Sequence, residues 1–186
     1  PFEQNRTGNF EVLFDVDDVD LDYQPGWPML QALSARVHFH GNQLDVSAHD
    51  GRVFDSRISD VAAHIDSLKP ASSIQIRGRV QGPLNDTLRT LRSDALRERF
   101  GRFAAALQAR GETTLDLDFA LPLTAAGTPR LQGTLQFENA GLMLPEWSFA
   151  IAEIDGRLGF SLDGIHAEAI EAKAMNAKVR LDVRRL

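Results

Sequence analysis

Most of the chain alternates apolar and polar residues with a period of two. Near the start of the chain, every second residue is apolar: Phe10, Val12, Phe14 and Val16. This period places successive side chains on opposite faces of a β-strand, so one face is apolar and the other is polar. The pattern recurs in short stretches bounded by turn residues at Gly41-Asn42, Asp50-Gly51, Asp163-Gly164 and Asn176. The sequence therefore predicts a mainly β protein made of antiparallel strands.

One region has a helical period instead. Leu84, Leu88 and Leu91 are spaced four and three residues apart, and the stripe then slips phase at Ser93-Asp94. A second stripe with helical spacing follows: Leu96, Phe100, Phe103 and Leu107. This predicts a short helical insertion near 84–109, as two short helices or one kinked helix, with Ser93 or Asp94 capping the second part.

The stretch FDVDDVDLDYQPGWP, residues 14–28, concentrates aspartates and raises the question of a calcium loop. An EF-hand loop needs Gly at position 6 and Glu at position 12, whereas a loop starting at Asp18 has Tyr23 and Met29 there. Apolar alternation continues on both sides of a one-residue slip at Asp17-Asp18. We therefore expect a solvated strand face with a β-bulge at the slip.

The chain also carries an internal repeat. A shift of 121 residues places Phe14 on Leu135 and Phe39 on Phe160, and the apolar phase is kept through several turns. We expect residues 1–186 to be a single excerpt of a longer chain, with a first β-meander unit at 8–82, the helical insertion at 83–110 and a second unit at 111–186. Repeat architectures bury apolar surface by stacking such units.

Charge and composition exclude several classes of function. The formal net charge is −6, which argues against general nucleic-acid binding. The chain has no cysteine, so disulfides, thiol nucleophiles and cysteine-based zinc sites are excluded. Six arginines lie between residues 84 and 110. They could contact anionic lipid head groups, but a solvated helix face is the more common reason for such charge.

The search for chemistry predicts no catalytic residue, no cofactor and no metal site. No G-x-S-x-G elbow or phosphate-binding glycine loop is present. His38 and His40 share one strand face and could ligate zinc with His49, but no carboxylate stands at a diagnostic spacing. We therefore interpret these histidines as the polar face of a strand. The third class considered, an enzyme on a β-scaffold, lacks any supporting motif.

Two segments carry a family resemblance. The corner D-Y-x-P-x-W-P at residues 22–28 and the run G-x-x-x-F-x-N-A-x-L-x-L-P at residues 133–145 resemble the YhdP branch of the AsmA-like superfamily. The resemblance implies a long envelope protein of Gram-negative bacteria, anchored in the inner membrane outside this excerpt and crossing the periplasm toward the outer membrane. It implies a curved antiparallel sheet that forms an open apolar groove and carries phospholipid between the two membranes.

Two functions remain open at this point. The first is an internal segment of a lipid conduit, with phospholipid as the partner and no nucleic acid. The second is a non-catalytic structural or adaptor β-module of the cell envelope, whose apolar face is closed as an ordinary core. The candidate groove residues are Phe10, Phe14, Val37, Phe39, Leu44, Val46, Ile74, Ile76, Leu115, Leu117, Phe119, Leu135, Phe137, Leu158 and Phe160.

Overall fold

A computed structural model describes residues 10–68, 72–123 and 128–183, and its strands form one antiparallel sheet. Ten strands pair in the order of the chain, each with the next. Their bounds are β1 (Glu11–Leu21), β2 (Leu30–His40), β3 (Gln43–Val53), β4 (Ser56–Ile65), β5 (Ser73–Pro83), β6 (Gln108–Pro122), β7 (Arg130–Leu144), β8 (Phe149–Ser161), β9 (Gly164–Ala174) and β10 (Ala177–Val183). The predicted mainly β, antiparallel fold is confirmed.

The turns fall mostly where Gly, Asn and Asp predicted them. The β2–β3 turn is Gly41-Asn42, and Gly41 has a φ of +60°. The predicted turn at Asp50-Gly51 is wrong, because β3 continues to Val53. Gly51 is instead a position of close packing, where an added Cβ would lie 3.0 Å from Leu33 Cδ1. The glycine therefore admits a neighbouring side chain and does not reverse the chain.

The helical insertion lies between β5 and β6, in two parts. Helix α1 (Leu84–Leu91) is followed by α2 (Asp94–Leu96), a π-helical turn (Arg97–Gly101) and α3 (Arg102–Ala106). The phase slip at Ser93-Asp94 thus marks a real break. The predicted extension to residue 109 is wrong, because β6 already begins at Gln108.

Ser93 occupies the N-cap position of the second part, but its hydroxyl makes no capping hydrogen bond. Its Oγ is buried and has no hydrogen-bond partner in the part of the chain that the structure describes. The expected cap is present by position only, so packing holds this segment.

Two charged side chains fix the insertion to its surroundings. The Asp86 carboxylate is buried and accepts hydrogen bonds from the Asp55 N–H at 2.9 Å and the Ser56 hydroxyl at 2.8 Å. The Arg92 guanidinium donates to the carbonyl oxygens of Ala104 and Leu107 at 2.7 and 2.8 Å. Helix α1 is therefore tied to the β3–β4 turn, and the end of α3 is capped by Arg92.

The buried apolar residues form separate clusters. Leu88, Ala104 and Leu107 hold the helical parts together, and Leu33, Ala35 and Ala48 form a small cluster on β2 and β3. The largest cluster joins α1 to the second half of the sheet: Leu84, Leu135, Phe137, Ala140, Ile154, Ala167, Ile170 and Ala172. Apart from helix contacts, the substantial contacts of each strand are with its sheet neighbours.

Several strands contain bulges with positive φ. Pairing of β1 with β2 shifts register between Val16 and Val19, where Asp18 has a φ of 54°, so the predicted bulge at Asp17-Asp18 is confirmed. The shift of 121 residues also relates the positive-φ residues Asp18 to Asn139, Ala32 to Glu153 and Phe54 to Met175. It likewise relates the bounds of β3 to those of β9. The division into two units stays a prediction, and its limits at residues 8 and 186 lie outside the described residues.

A carboxylate on the neighbouring strand satisfies the bulge at Asn139, and this leads to a stability prediction. The Asn139 N–H donates to Asp155 Oδ1 at 2.8 Å. Asp155→Ala removes this acceptor, and we expect the free energy of unfolding to fall by about 1.5 kcal/mol. Urea denaturation measures the change. Asp155→Asn keeps an oxygen acceptor and should lose less than half as much, and equal losses in both variants would contradict this role.

Candidate functional site

One face of the sheet carries continuous rows of apolar side chains. Residues directly opposite each other in neighbouring strands point to the same face, so the register traces each row across the sheet. The longest row crosses seven strands: Phe14, Val37, Val46, Ala63, Ile76, Phe119 and Leu131. A second row crosses β1 to β6: Val12, Phe39, Leu44, Ile65, Ile74 and Leu121.

The same face continues into the second half of the sheet. A third row runs from β5 to β10: Val80, Leu115, Leu135, Leu158, Ala167 and Val183. A fourth row runs from β5 to β9: Gly78, Leu117, Gly133, Phe160 and Ile165. We call the surface made by these four rows the apolar face. No residue in the four rows is charged.

The candidate groove residues differ in exposure along this face. Phe10 and Phe14 at the β1 edge are exposed, at 62% and 43%. Leu135 and Phe137 are buried in the cluster with Leu84. The other candidates, from Val37 to Phe160, are half-buried. Phe39 and Phe160 thus keep part of their rings accessible, whereas Phe137 does not.

Packing on the apolar face depends on a glycine at one point. Gly133 lies opposite Phe160, and a Cβ added to Gly133 would fall 2.2 Å from Phe160 Cζ. The tip of the Phe160 ring therefore occupies the space that a side chain at residue 133 would fill. This keeps the row continuous without a projecting side chain.

The opposite face is polar and is crossed by ion pairs between neighbouring strands. The Arg36 guanidinium beside Asp15 holds the pKa of that carboxyl below its usual value. Other pairs on this face are Arg57–Asp50, Arg77–Asp118, Arg79–Asp116 and Lys173–Glu153. A depression of about 460 Å³ on this face is lined by Arg79, Gln81, Thr114, Asp116, Thr134, Gln136 and Arg157. Its lining suits water and polar solutes rather than hydrocarbon.

The acidic stretch of β1 belongs to this polar surface. Asp15 pairs with Arg36 at 2.8 Å, and Asp20 Oδ1 accepts the Ala32 N–H at 3.2 Å. These aspartates therefore hold β2 in place, and the stretch forms a strand rather than a calcium loop, as the alternation predicted.

Several arginines of the helical insertion make contacts with other residues of the chain. Arg89 lies 3.8 Å above the Phe54 ring and pairs with Asp86 at 3.1 Å. Arg92 caps α3, and Arg97 pairs with Asp94 at 3.3 Å. Among the described residues, no helix is long and apolar enough to cross a membrane. The insertion is thus built as a packed element at one end of the strands.

Sequence reasoning found the strands of the apolar face but not its full membership. The row members that were not among the candidate residues are Val12, Ala63, Ile65, Gly78, Val80, Leu121, Leu131, Gly133, Ile165, Ala167 and Val183. The signal that could have found them is the same alternation, extended through the turns. The burial of Leu135 and Phe137 had no such signal, because the cluster that buries them also draws residues from α1, β8 and β9.

Comparison with known proteins now adds to this geometry. The sequence model described as YhdP protein matches residues 1–185. The chain belongs to the YhdP family. The recognition of this family from the D-Y-x-P-x-W-P corner and the Gly133–Pro145 run is therefore confirmed.

One curated relative is the intermembrane phospholipid transporter YhdP of Escherichia coli strain K12. The two sequences are 22% identical over 187 residues, which cover 98% of this chain. The chain spans 14% of the length of that relative. No solved structure matches the chain.

Proposed function

We propose that this chain is an internal segment of a conduit that spans the periplasm and carries phospholipid between the inner and outer membranes. The acyl chains lie on the apolar face and the head groups stay in water. The observation that carries the proposal is the continuity of the apolar rows, whose side chains are mostly half-buried and include no charge. The name of the Escherichia coli relative supports phospholipid as the cargo.

The dimensions of the face suit an acyl chain. Strands lie about 4.8 Å apart, so a row across seven strands extends for about 29 Å. One acyl layer of a bilayer is about 15 Å thick, half of its hydrocarbon core. Moving a 16-carbon chain out of water is worth on the order of 12 kcal/mol. A continuous row offers the chain apolar contact along its whole length without crossing a charge.

The surface area of the protein fits an uncovered sheet. The accessible surface is 12917 Å². A compact monomer of this mass has about 8,900 Å², because the surface of a folded chain grows with mass to the power 0.73. The excess fits a sheet with two accessible faces. The helical insertion packs at one end of the strands, and within the described ranges its substantial contacts with the sheet are those of α1 with β5 and β6.

The proposed segment has no catalytic residue. The cargo is held by apolar area, which needs no bond making or breaking. The protein acts in the periplasm and is attached to the inner membrane by a part of the protein outside these residues. Membranes contact those other parts.

The second candidate function is a structural β-module with a closed core. It is favoured by the cluster around Phe137, where apolar residues of β7, β8 and β9 bury one another with Leu84. In that case the apolar face of the first half would also be covered by protein in the folded state.

Native mass spectrometry of the chain with phospholipid separates the two. Ile76 and Gln75 are neighbours in β5, so their side chains point to opposite faces of the sheet. Ile76 lies directly opposite Phe119 in β6, and Gln75 lies directly opposite Ala120. Ile76→Glu places a charge in the longest apolar row, and Gln75→Glu places the same charge on the polar face. We expect wild type and Gln75→Glu to carry phospholipid and Ile76→Glu to lose it.

Circular dichroism checks that both variants fold. Ile76 is half-buried, so the glutamate can reach water and the sheet should survive. Lipid binding that is unchanged in folded Ile76→Glu would contradict the conduit. A folded wild-type chain that takes up no phospholipid would favour the closed module.

A further inference from the structure

A cluster of histidines and carboxylates lies on the polar face of β2, β3 and β4, behind the apolar face. His38 is directly opposite Asp45, and Asp45 is directly opposite His64. His40 lies two residues after His38 on the same strand and therefore on the same face. The tight Gly41-Asn42 turn joins the two strands just beyond His40.

The side chains of this cluster are in contact. Asp45 Oδ2 lies 2.9 Å from His40 Nε2, and Asp45 Oδ1 lies 2.6 Å from His64 Nδ1. The His38 and His40 rings are 4.8 Å apart between centroids. One ligand atom from each of His38, His40 and Asp45 lies within 4.8 Å of the other two. Two imidazole nitrogens and a carboxylate oxygen therefore converge on one point.

The charges of the cluster favour a cation. His64 lies between two carboxylates, with Asp45 at Nδ1 and Asp66 at Nε2, 2.8 Å away. Both neighbours are carboxylates, which accept hydrogen bonds from ring N–H groups. Glu11 lies 2.8 Å from His38 Nε2. The three carboxylates of Asp45, Asp66 and Glu11 therefore lie within 2.9 Å of ring nitrogens of the three histidines, and their negative charge attracts a cation.

We propose that His38, His40 and Asp45 bind a divalent transition-metal ion of the zinc class. Imidazole nitrogen and carboxylate oxygen are ligands that zinc takes at about 2.0–2.2 Å, with ligand atoms about 3.3–3.5 Å apart in a tetrahedral site. The three side chains are partly exposed, at 32% for His38, 38% for His40 and 44% for Asp45, so they are free to close on the ion. Hard ions such as Mg²⁺ prefer all-oxygen sites and should not bind here.

His64 is a positioning residue in this arrangement. Its Nδ1 holds Asp45 Oδ1, so that Oδ2, which now contacts His40 Nε2, is the oxygen placed to bind the ion, as hydrogen bonds to ligating carboxylates commonly do. The ion would join β2 to β3 on the face opposite Phe39 and Leu44 and so stiffen this part of the apolar face. The sequence alone argued for a solvated strand face, because Asp45 and His64 join the histidines only through the strand register.

Isothermal titration of the whole chain with zinc sulfate tests the site. We expect one ion per chain, and at least a tenfold loss of affinity in His40→Gln and in Asp45→Asn. His166→Gln is the matched control, since His166 is a histidine of β9 that packs over Gly159, on a strand far from the cluster in the sheet order. That variant should bind zinc as wild type does, and magnesium sulfate should give no binding.

Long-range ¹H–¹⁵N spectra of the histidine rings identify the ligand atoms. On adding zinc, the Nε2 signals of His38 and His40 should shift, while Nδ1 of His64 stays protonated. A folded wild-type chain that takes up no zinc would overturn the proposal. Binding that survives both His40→Gln and Asp45→Asn, or that His166→Gln weakens equally, would overturn it as well.

Discussion

Asp86→Ala is expected to lower the free energy of unfolding by about 3 kcal/mol, because a buried carboxylate that holds several donors is removed. The carboxylate of Asp86 is 4% exposed and accepts hydrogen bonds from the Asp55 N–H, the Ser56 hydroxyl and the Arg89 guanidinium. Alanine leaves these donors without an acceptor, and Ser56 is itself buried. It also detaches α1 from the β3–β4 turn.

Urea denaturation followed by circular dichroism measures this loss. Asp86→Asn is the conservative control, because its amide oxygen can still accept from Asp55 and Ser56, while its amide nitrogen faces Arg89. We expect Asp86→Asn to lower the free energy of unfolding by about 1–2 kcal/mol, because the charged hydrogen bond between Arg89 and Asp86 is lost. If Asp86→Ala were as stable as wild type, the insertion would be held by Leu84 and Leu88 alone.

The case of Asp86 shows what the sequence could and could not predict. The helical period of Leu84, Leu88 and Leu91 predicted α1, because spacing along one chain decides which side of a helix is apolar. The burial of Asp86 depends on Ser56, 30 residues earlier. No local pattern carries that information, so an aspartate in a first helical turn was indistinguishable from a solvated one.

For the apolar face too, some features could be predicted from local sequence and others could not. Alternation is local and predicted which side chains of β2 or β5 share a face, whereas the order in which strands pair decides which rows they form. The simple meander order made the rows continuous, and the internal repeat had indicated β-meander units before the family resemblance implied a groove. The cluster that buries Phe137 was beyond both kinds of argument, since its members extend from Leu84 to Ala172.

The two faces of the sheet have different roles in the proposed conduit. The polar face carries cross-strand ion pairs such as Arg79–Asp116, which fix the register from the water side. A slip of one residue would move charged side chains into the apolar rows. The carboxylate-bound bulges at Asn139 and Ala169 also fix the register, since each bulge N–H binds an aspartate of the next strand. Register, rather than a thick core, is therefore what keeps the apolar rows unbroken.

Gly111→Ala is expected to cost about 3 kcal/mol, by adding backbone strain to a steric clash. Gly111 has a φ of +88°, which side-chain-bearing residues rarely adopt. It lies in β6 where the register with β7 shifts, between the pairs Arg110–Gly141 and Glu112–Glu138. An added Cβ would fall 2.6 Å from Ala140 Cα and 2.7 Å from the Asn139 carbonyl oxygen. Both are backbone atoms, and Ala140 is fully buried, so neither can move aside cheaply.

Gly41→Ala separates the two causes of this loss. Gly41 also has positive φ, at +60°, but an added Cβ there would meet no atom within 4 Å. That variant therefore carries the strain without the clash and should lose only about 1 kcal/mol. The difference between the two variants in urea denaturation measures how tightly β6 packs against the bulge of β7. Equal losses would mean that the bulge relaxes around the new methyl group and that β7 does not hold the register there.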